Sequence, residues 1–133
     1  MKVKTDTKEK FHAITVAETS LTADMAAEIT DLLLPYLQND LKNIILNLKE
    51  LQVMDEPAAE KIVKLQQNFY ENSASFVICG LQKSVEDFLD KIGLLEILNI
   101  TPTESEAWDI VQMEEIEREM LDSPLSPPNG GGI

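Results

Sequence analysis

Lys42-Asn43-Ile44-Ile45-Leu46-Asn47-Leu48, then Lys49-Glu50-Leu51-Gln52-Val53-Met54, then Asp55-Glu56-Pro57-Ala58-Ala59, is the stretch on which the fold turns. Its first part is apolar without alternation and has polar flanks, as expected of a strand buried on both faces in the middle of a sheet. Lys49 to Asp55 reads as a loop. Asp55 is a natural helix N-cap, and Pro57 is tolerated in a first turn because the amide it lacks would be unpaired there anyway. Ile62, Leu65 and Phe69 then recur at helical spacing, with Ala59, Val63 and Tyr70 beside them. Strand, short loop and capped helix in this order form half of a parallel crossover unit.

Working outward, Ala74-Ser75-Phe76-Val77-Ile78-Cys79 repeats the buried-strand pattern, and Gly80 is placed to end it. Ser84, with Asp87 three residues on, suggests a capped short helix whose apolar face is Val85, Phe88, Leu89 and Ile92 and which Gly93 terminates. Ile97 to Ile100 reads as a third short strand. Thr103 and Glu106 form a capping box for a last helix from Glu104 to about Met120, with Trp108, Val111 and Ile116 among its apolar positions. Upstream, Val3–Thr7 and Phe11–Val16 make a hairpin across Lys8-Glu9-Lys10. Thr22 caps a helix with Asp24 in its first turn and Met25, Ile29, Leu32, Leu33, Tyr36 and Leu37 on its apolar side, which Pro35 kinks or ends. The expected architecture is α/β: a mixed four- to five-stranded sheet with about four helices, the two strands after Lys42 and Ala74 being parallel and central. Residues 1–122 form this domain, and the Pro-, Gly- and Ser-rich segment 123–133 reads as a flexible tail.

Composition narrows the function. Eleven basic residues stand against 24 acidic ones, a formal charge of −13. Such a surface repels nucleic acid and anionic lipid and suits a basic protein partner; it equally serves solubility alone. The longest apolar runs are strand-sized, far below the ~20 residues of a membrane span, and Met1-Lys2-Val3-Lys4 has no apolar run behind it, so neither membrane insertion nor secretion is expected. The single cysteine, Cys79, fits the cytoplasm.

No catalytic constellation is present. His12 is the only histidine and has no second His or Cys with which to build a zinc site. Gly80 and Gly93 are the only glycines before the terminal run, so neither phosphate-loop signature exists. Cys79 ends an apolar strand, where an inert buried thiol is the default; Lys83 is its one candidate activator. From Thr103 to Asp122 eight carboxylates (Glu104, Glu106, Asp109, Glu114, Glu115, Glu117, Glu119, Asp122) accompany one basic residue, Arg118. They make either a solvated face or an acidic docking surface. A non-catalytic protein without cofactors is expected.

The segment Lys42–Ala59 resembles the central signature of the STAS domain, the family that includes bacterial anti-sigma factor antagonists. There a buried strand of the pattern hhhDh is followed by a loop and by Asp-Ser-Ser/Thr-Gly opening a helix. Asn47 stands at the strand's Asp, and Asp55 matches the Asp of the signature. Phe76-Val77-Ile78-Cys79-Gly80-Leu81 is similar to the next strand and turn, Val85 to Leu94 to the short helix ending in Gly-Leu, and Leu21 to Ile29 to the entry of the first helix. The resemblance spans about Phe11 to Met120.

The departures define the expected behaviour. The resemblance implies a regulatory protein partner, in the family usually an anti-sigma serine kinase that phosphorylates the residue two after the Asp. Here that residue is Pro57, preceded by Glu56 and followed by Ala58, so no hydroxyl can take the phosphate. Glu56 either imitates part of a phosphate's charge or is simply a good first-turn residue. Thr22 stands where members often carry Asp, so a nucleotide-linked role at that position is not implied. Sites in open α/β sheets gather outside the carboxyl ends of parallel strands. That places the expected partner surface on Met54, Asp55, Glu56 and Pro57, with Thr22 and the Thr19–Thr22 loop beside them. The alternative function is a soluble accessory or regulatory subunit of a membrane transporter, a role STAS-like proteins also fill.

Overall fold

The computed structural model describes residues 1–122; the expected tail, 123–133, lies outside the described residues. Seven strands and four α-helices follow in chain order: β1 (Val3–Thr7), β2 (His12–Val16), β3 (Ser20–Leu21), α1 (Ala23–Leu33), β4 (Ile44–Asn47), β5 (Val53–Met54), α2 (Glu56–Glu71), β6 (Phe76–Cys79), α3 (Lys83–Lys91), β7 (Ile100–Thr101) and α4 (Glu104–Asp122). Five strands form one mixed sheet in the order β1-β2-β4-β6-β7. The N-terminal hairpin is antiparallel, and every other pair in this sheet is parallel. As expected, β4 and β6 are central neighbours, with Ile44 opposite Phe76 and Asn47 opposite Cys79.

Alternate residues of the central strands serve two cores. Ile14, Ile44, Leu46, Phe76 and Ile78 face α1, α2 and α3, whereas Phe11, Ala13, Ile45, Val77 and Cys79 face Ala107 and Val111 of α4. This is why β4 and β6 are apolar at every step. Ile62, Leu65 and Phe69 supply the inner stripe of α2, and the Phe69 ring lies 5.4 Å from that of Phe76. Gln66 is buried in the same helix. Its amide nitrogen donates to the Ile97 carbonyl at 2.9 Å and its oxygen accepts from Asn99 N–H at 2.9 Å.

That clamp accounts for one departure from the sequence reading. Leu95–Ile97 is a 3₁₀ turn, Ile97 points outward and Leu98 enters the core, so the last strand is Ile100–Thr101 rather than Ile97–Ile100. A second departure lies at α3, which starts at Lys83 with Gln82 at its N-cap; the Ser84 hydroxyl donates instead to the Gln52 carbonyl, 2.9 Å away, across the chain. A third is the short parallel pair β3–β5, within segments read as loop. Other local signals hold: α1 gives way at Leu33 to a 3₁₀ turn containing Pro35, and Gly93 follows α3 at φ +77°.

Half of α4 packs through carboxylates rather than apolar side chains. Trp108 and Ile116, expected among its apolar positions, are partly or largely exposed, and beyond Val111 the inner row continues as Glu114 and Arg118. Glu114 accepts from Ser75 Oγ (2.6 Å) and Tyr70 Oη (2.8 Å). Arg118 donates to Ser75 Oγ (3.0 Å) and Asn43 Oδ1 (3.2 Å). Asn43, itself buried, donates to Glu115 (2.7 Å) and the Lys10 carbonyl (3.0 Å) and accepts from Ser75 N–H (2.8 Å). Burial first, and then the bond to Glu114 and its charge, push the Tyr70 phenol far up, so it stays a donor.

Phe69→Ala removes a fully buried ring from the larger core, and we expect it to lower the unfolding free energy by about 3–5 kcal/mol in urea titration. Glu114→Ala strands the Ser75 and Tyr70 hydroxyls, which both donate to it, and should cost about 1–3 kcal/mol in the same measurement.

Candidate functional site

The site forms where β4 and β6 end. Leu48 N–H bonds the Cys79 carbonyl (3.0 Å), and the chain then turns over Asn47, whose side-chain oxygen accepts from Lys49 N–H (3.0 Å). Leu51 turns back into the core. Residues of the α3 start hold this loop down: Gln82 Nε2 donates to the Lys49 carbonyl (2.8 Å), and Ser84 Oγ to that of Gln52. Gly80 is required at the crossing. Its φ is +77°, and a Cβ there would sit 3.0 Å from Asn47 Oδ1 and 3.3 Å from Lys49 Cβ.

The loop then meets the segment before α1. The Thr19 carbonyl accepts from Gln52 N–H (2.7 Å) and Val53 N–H (3.1 Å), and Asp55 N–H donates to the Leu21 carbonyl (3.2 Å). With Leu21 opposite Met54, the next residue on each strand is an N-cap, Thr22 for α1 and Asp55 for α2. Two helices therefore begin side by side. Thr22 Oγ1 accepts from Met25 N–H at 3.4 Å and Asp55 Oδ1 from Ala58 N–H at 2.8 Å.

The expected site residues fall into two groups. Thr22, Asp55, Glu56 and Pro57 are exposed together on this edge. Met54 is not: it is 5% exposed and packs in the core, while its neighbour Val53 is 62% exposed. The period of a strand forces that choice, since one of two successive residues must point inward and the other outward. Met54 thus anchors β5 and Val53 is the apolar group exposed on this edge.

Electrostatically this is a closed helix start. Pro57 has no N–H, Ala58 N–H is taken by the Asp55 carboxylate, and Ala59 N–H bonds the Asp55 carbonyl. Three of the first four positions of α2 thus offer no amide to an anion, although helix N-termini otherwise favour one. The edge carries two exposed carboxylates, Asp55 and Glu56, beside the exposed Val53.

The remaining candidates are structural. His12 is buried, with Nδ1 2.9 Å from Thr7 Oγ1, Nε2 3.0 Å from the Leu41 carbonyl and its ring against Tyr36. Burial pushes the Cys79 thiol up to about 11, the Glu104 charge adding to it. Among the described residues no cluster of His, Cys, Asp or Glu could hold a metal ion, and no helix is long and apolar enough to cross a membrane.

Comparison with known proteins decides the family. The sequence profile of the STAS domain matches residues 3–107. The chain belongs to the STAS domain family. No curated protein sequence matches it significantly. Among solved structures, the STAS fold recurs in an anti-sigma factor antagonist domain protein of Planctomyces limnophilus (14% identity, 83% of this chain and 97% of that one, TM-score 0.71). It recurs in the phosphorylated form of the Bacillus cell fate determinant SpoIIAA (16% identity, 83% and 99%, TM-score 0.60). The murine anion transporter Slc26a9 shares it over 78% of this chain at 11% identity and TM-score 0.64, but the chain spans only 18% of that protein. The five-stranded mixed sheet with four helices is thus the STAS arrangement, and the chain is a STAS domain resembling anti-sigma factor antagonists.

Gly80→Ala forces a side chain into a left-handed backbone beside Asn47 and is expected to cost about 1–3 kcal/mol, read by denaturant unfolding. The Cys79 thiol, protonated up to about pH 10 because its pKa is about 11, should resist alkylation at pH 8 in the native protein and react fully once unfolded.

Proposed function

We propose that this chain is a non-catalytic protein-interaction module of the anti-sigma-antagonist type. It binds a regulatory protein through Val53, Asp55, Glu56, Pro57 and Thr22, with Met54 holding the surface from behind. The observation that carries this reading is the pairing of two capped helix starts around an exposed valine on an edge tacked down by Gln82 and Ser84. Rigid backing lowers the ordering cost of binding, and an exposed valine followed by two exposed carboxylates, Asp55 and Glu56, suits a partner pocket with a basic rim. The family resemblance favours a serine kinase as that partner, and with it a cytoplasmic location.

Binding is not switched by phosphorylation of this turn. Positions 56 to 58 hold Glu56, Pro57 and Ala58, and the amides of Ala58 and Ala59 are already engaged. Ser75 is no substitute, being fully buried between Glu114 and Arg118. Glu56 holds one permanent charge where a phosphate would bring about −1.5 to −2, so the chain sits between the two states of a switched protein. The shared fold of Slc26a9 supports a second reading, an accessory subunit of a transporter. Co-purification with a membrane fraction rather than a kinase favours that reading.

Titration calorimetry against the partner kinase tests the surface. Val53→Asp and Glu56→Lys should each weaken binding by about tenfold or more, whereas Glu71→Lys, at the far end of α2, should change it by less than about twofold and lose even that at high salt. Equal small effects from all three would remove the proposed site. Glu115→Lys is no neutral control, because Glu115 bonds Asn43 and lies 3.7 Å from Lys10 Nζ.

A further inference from the structure

A second surface lies on α4, which covers the face of the sheet opposite to α1, α2 and α3. The inner row of α4 is Ala107, Val111, Glu114 and Arg118, which meets the sheet and, through Ser75 and Asn43, the starts of β6 and β4. The row diametrically opposite is Asp109, Met113, Ile116 and Met120, at the same spacing. Met113 is 63% exposed and Ile116 55%, with Met120 facing outward beside them at 64%. A helix row turned to water is ordinarily polar; large apolar side chains recurring along it mark a contact surface. Glu106 and Asp109 precede this strip, and Glu117 and Glu119 flank it, all four exposed. Among the described residues, Asp109, Glu117 and Glu119 form no ion pair with a lysine or arginine.

We propose that this strip docks a basic amphipathic helix from another protein, whose apolar side chains cover Met113 and Ile116 and whose lysines or arginines reach the flanking carboxylates. Charge selects this occupant. A second copy would set one acidic frame against another on a chain of charge −13. From Met113 to Met120 the strip is only about 10 Å long at 1.5 Å per residue, too small for the roughly 800 Å² per partner of a stable symmetric interface. The chain's own segment 123–133 has no lysine or arginine to offer the carboxylates, and Leu125 and Ile133 are its only large apolar residues. Methionine at both ends of the strip suits it to an apolar face of imperfect fit. Met113 and Ile116 take no part in the core beneath α4, so this surface is separate from the site at the paired caps.

The test uses the full chain and a labelled synthetic helical peptide with leucine at i, i+3, i+4 and i+7 and lysine between, followed by fluorescence anisotropy at low and high salt. The peptide should bind, more weakly at high salt, and its glutamate counterpart should not. Met113→Ser combined with Ile116→Ser should weaken binding by about tenfold or more, with the circular dichroism spectrum unchanged because both residues are exposed. Glu56→Lys should leave it unaltered. Absence of binding, or equal binding to the double variant, overturns the proposal. So does a dimer in sedimentation that the double variant dissolves, which assigns the strip to a second copy. A tenfold gain in affinity on replacing Leu125 and Ile133 by serine also overturns it, by assigning the strip to the chain's own C-terminal segment.

Discussion

Two parallel strands that are apolar on both faces must be covered on both faces. β4 and β6 impose that requirement here, and the described residues answer it: α1, α2 and α3 close one side and, among these residues, α4 alone closes the other. One helix is a narrow cover for a five-stranded sheet. It reaches across by packing Ala107 and Val111 at its start and hydrogen-bonding Glu114, Glu115 and Arg118 further on. The buried Asn43 amide joins β2's approach, β4, β6 and α4 in one satisfied network. Such networks are worth having only when complete, because each orphaned buried group costs about 1–3 kcal/mol.

The same parallel pairing sets the edge on which the two caps meet. Parallel strands deliver their carboxyl ends to one side, and the chain leaves β4 there to build β5 against β3. Because Leu21 and Met54 are opposite each other, the caps that follow them are neighbours, and two helix dipoles converge on one patch. A convergence of that kind ordinarily calls for an anion. Asp55 satisfies it from within the chain, and Glu56 adds a second carboxylate to the same turn. Negative charge is therefore a fixed property of this edge.

The acidic composition divides in the same way. Some carboxylates on α4 are structural ligands for buried donors, and others stand in water around an apolar strip. Net charge alone does not distinguish them, since a Glu at position 114 and one at position 117 contribute equally to −13 while doing different work. What separates them is which side of the helix each faces.

Local chemistry was legible in the chain itself. Unbroken apolar runs at Ile44–Leu46 and Phe76–Cys79 determined central strands, and the side chains of Thr22, Asp55 and Thr103 determined where helices begin. These signals are readable because each depends on residues only a few positions apart. Their linear order also determined the parallel sheet, since short crossovers leave it few alternatives. Only the tertiary structure decided that Met54 is inside and Val53 outside, that Ser84 binds Gln52 instead of capping its own helix, and that Glu114 faces Ser75. Each of those outcomes is fixed by a partner about 30 or more residues away, or by a strand pair of two residues, too short to show a period.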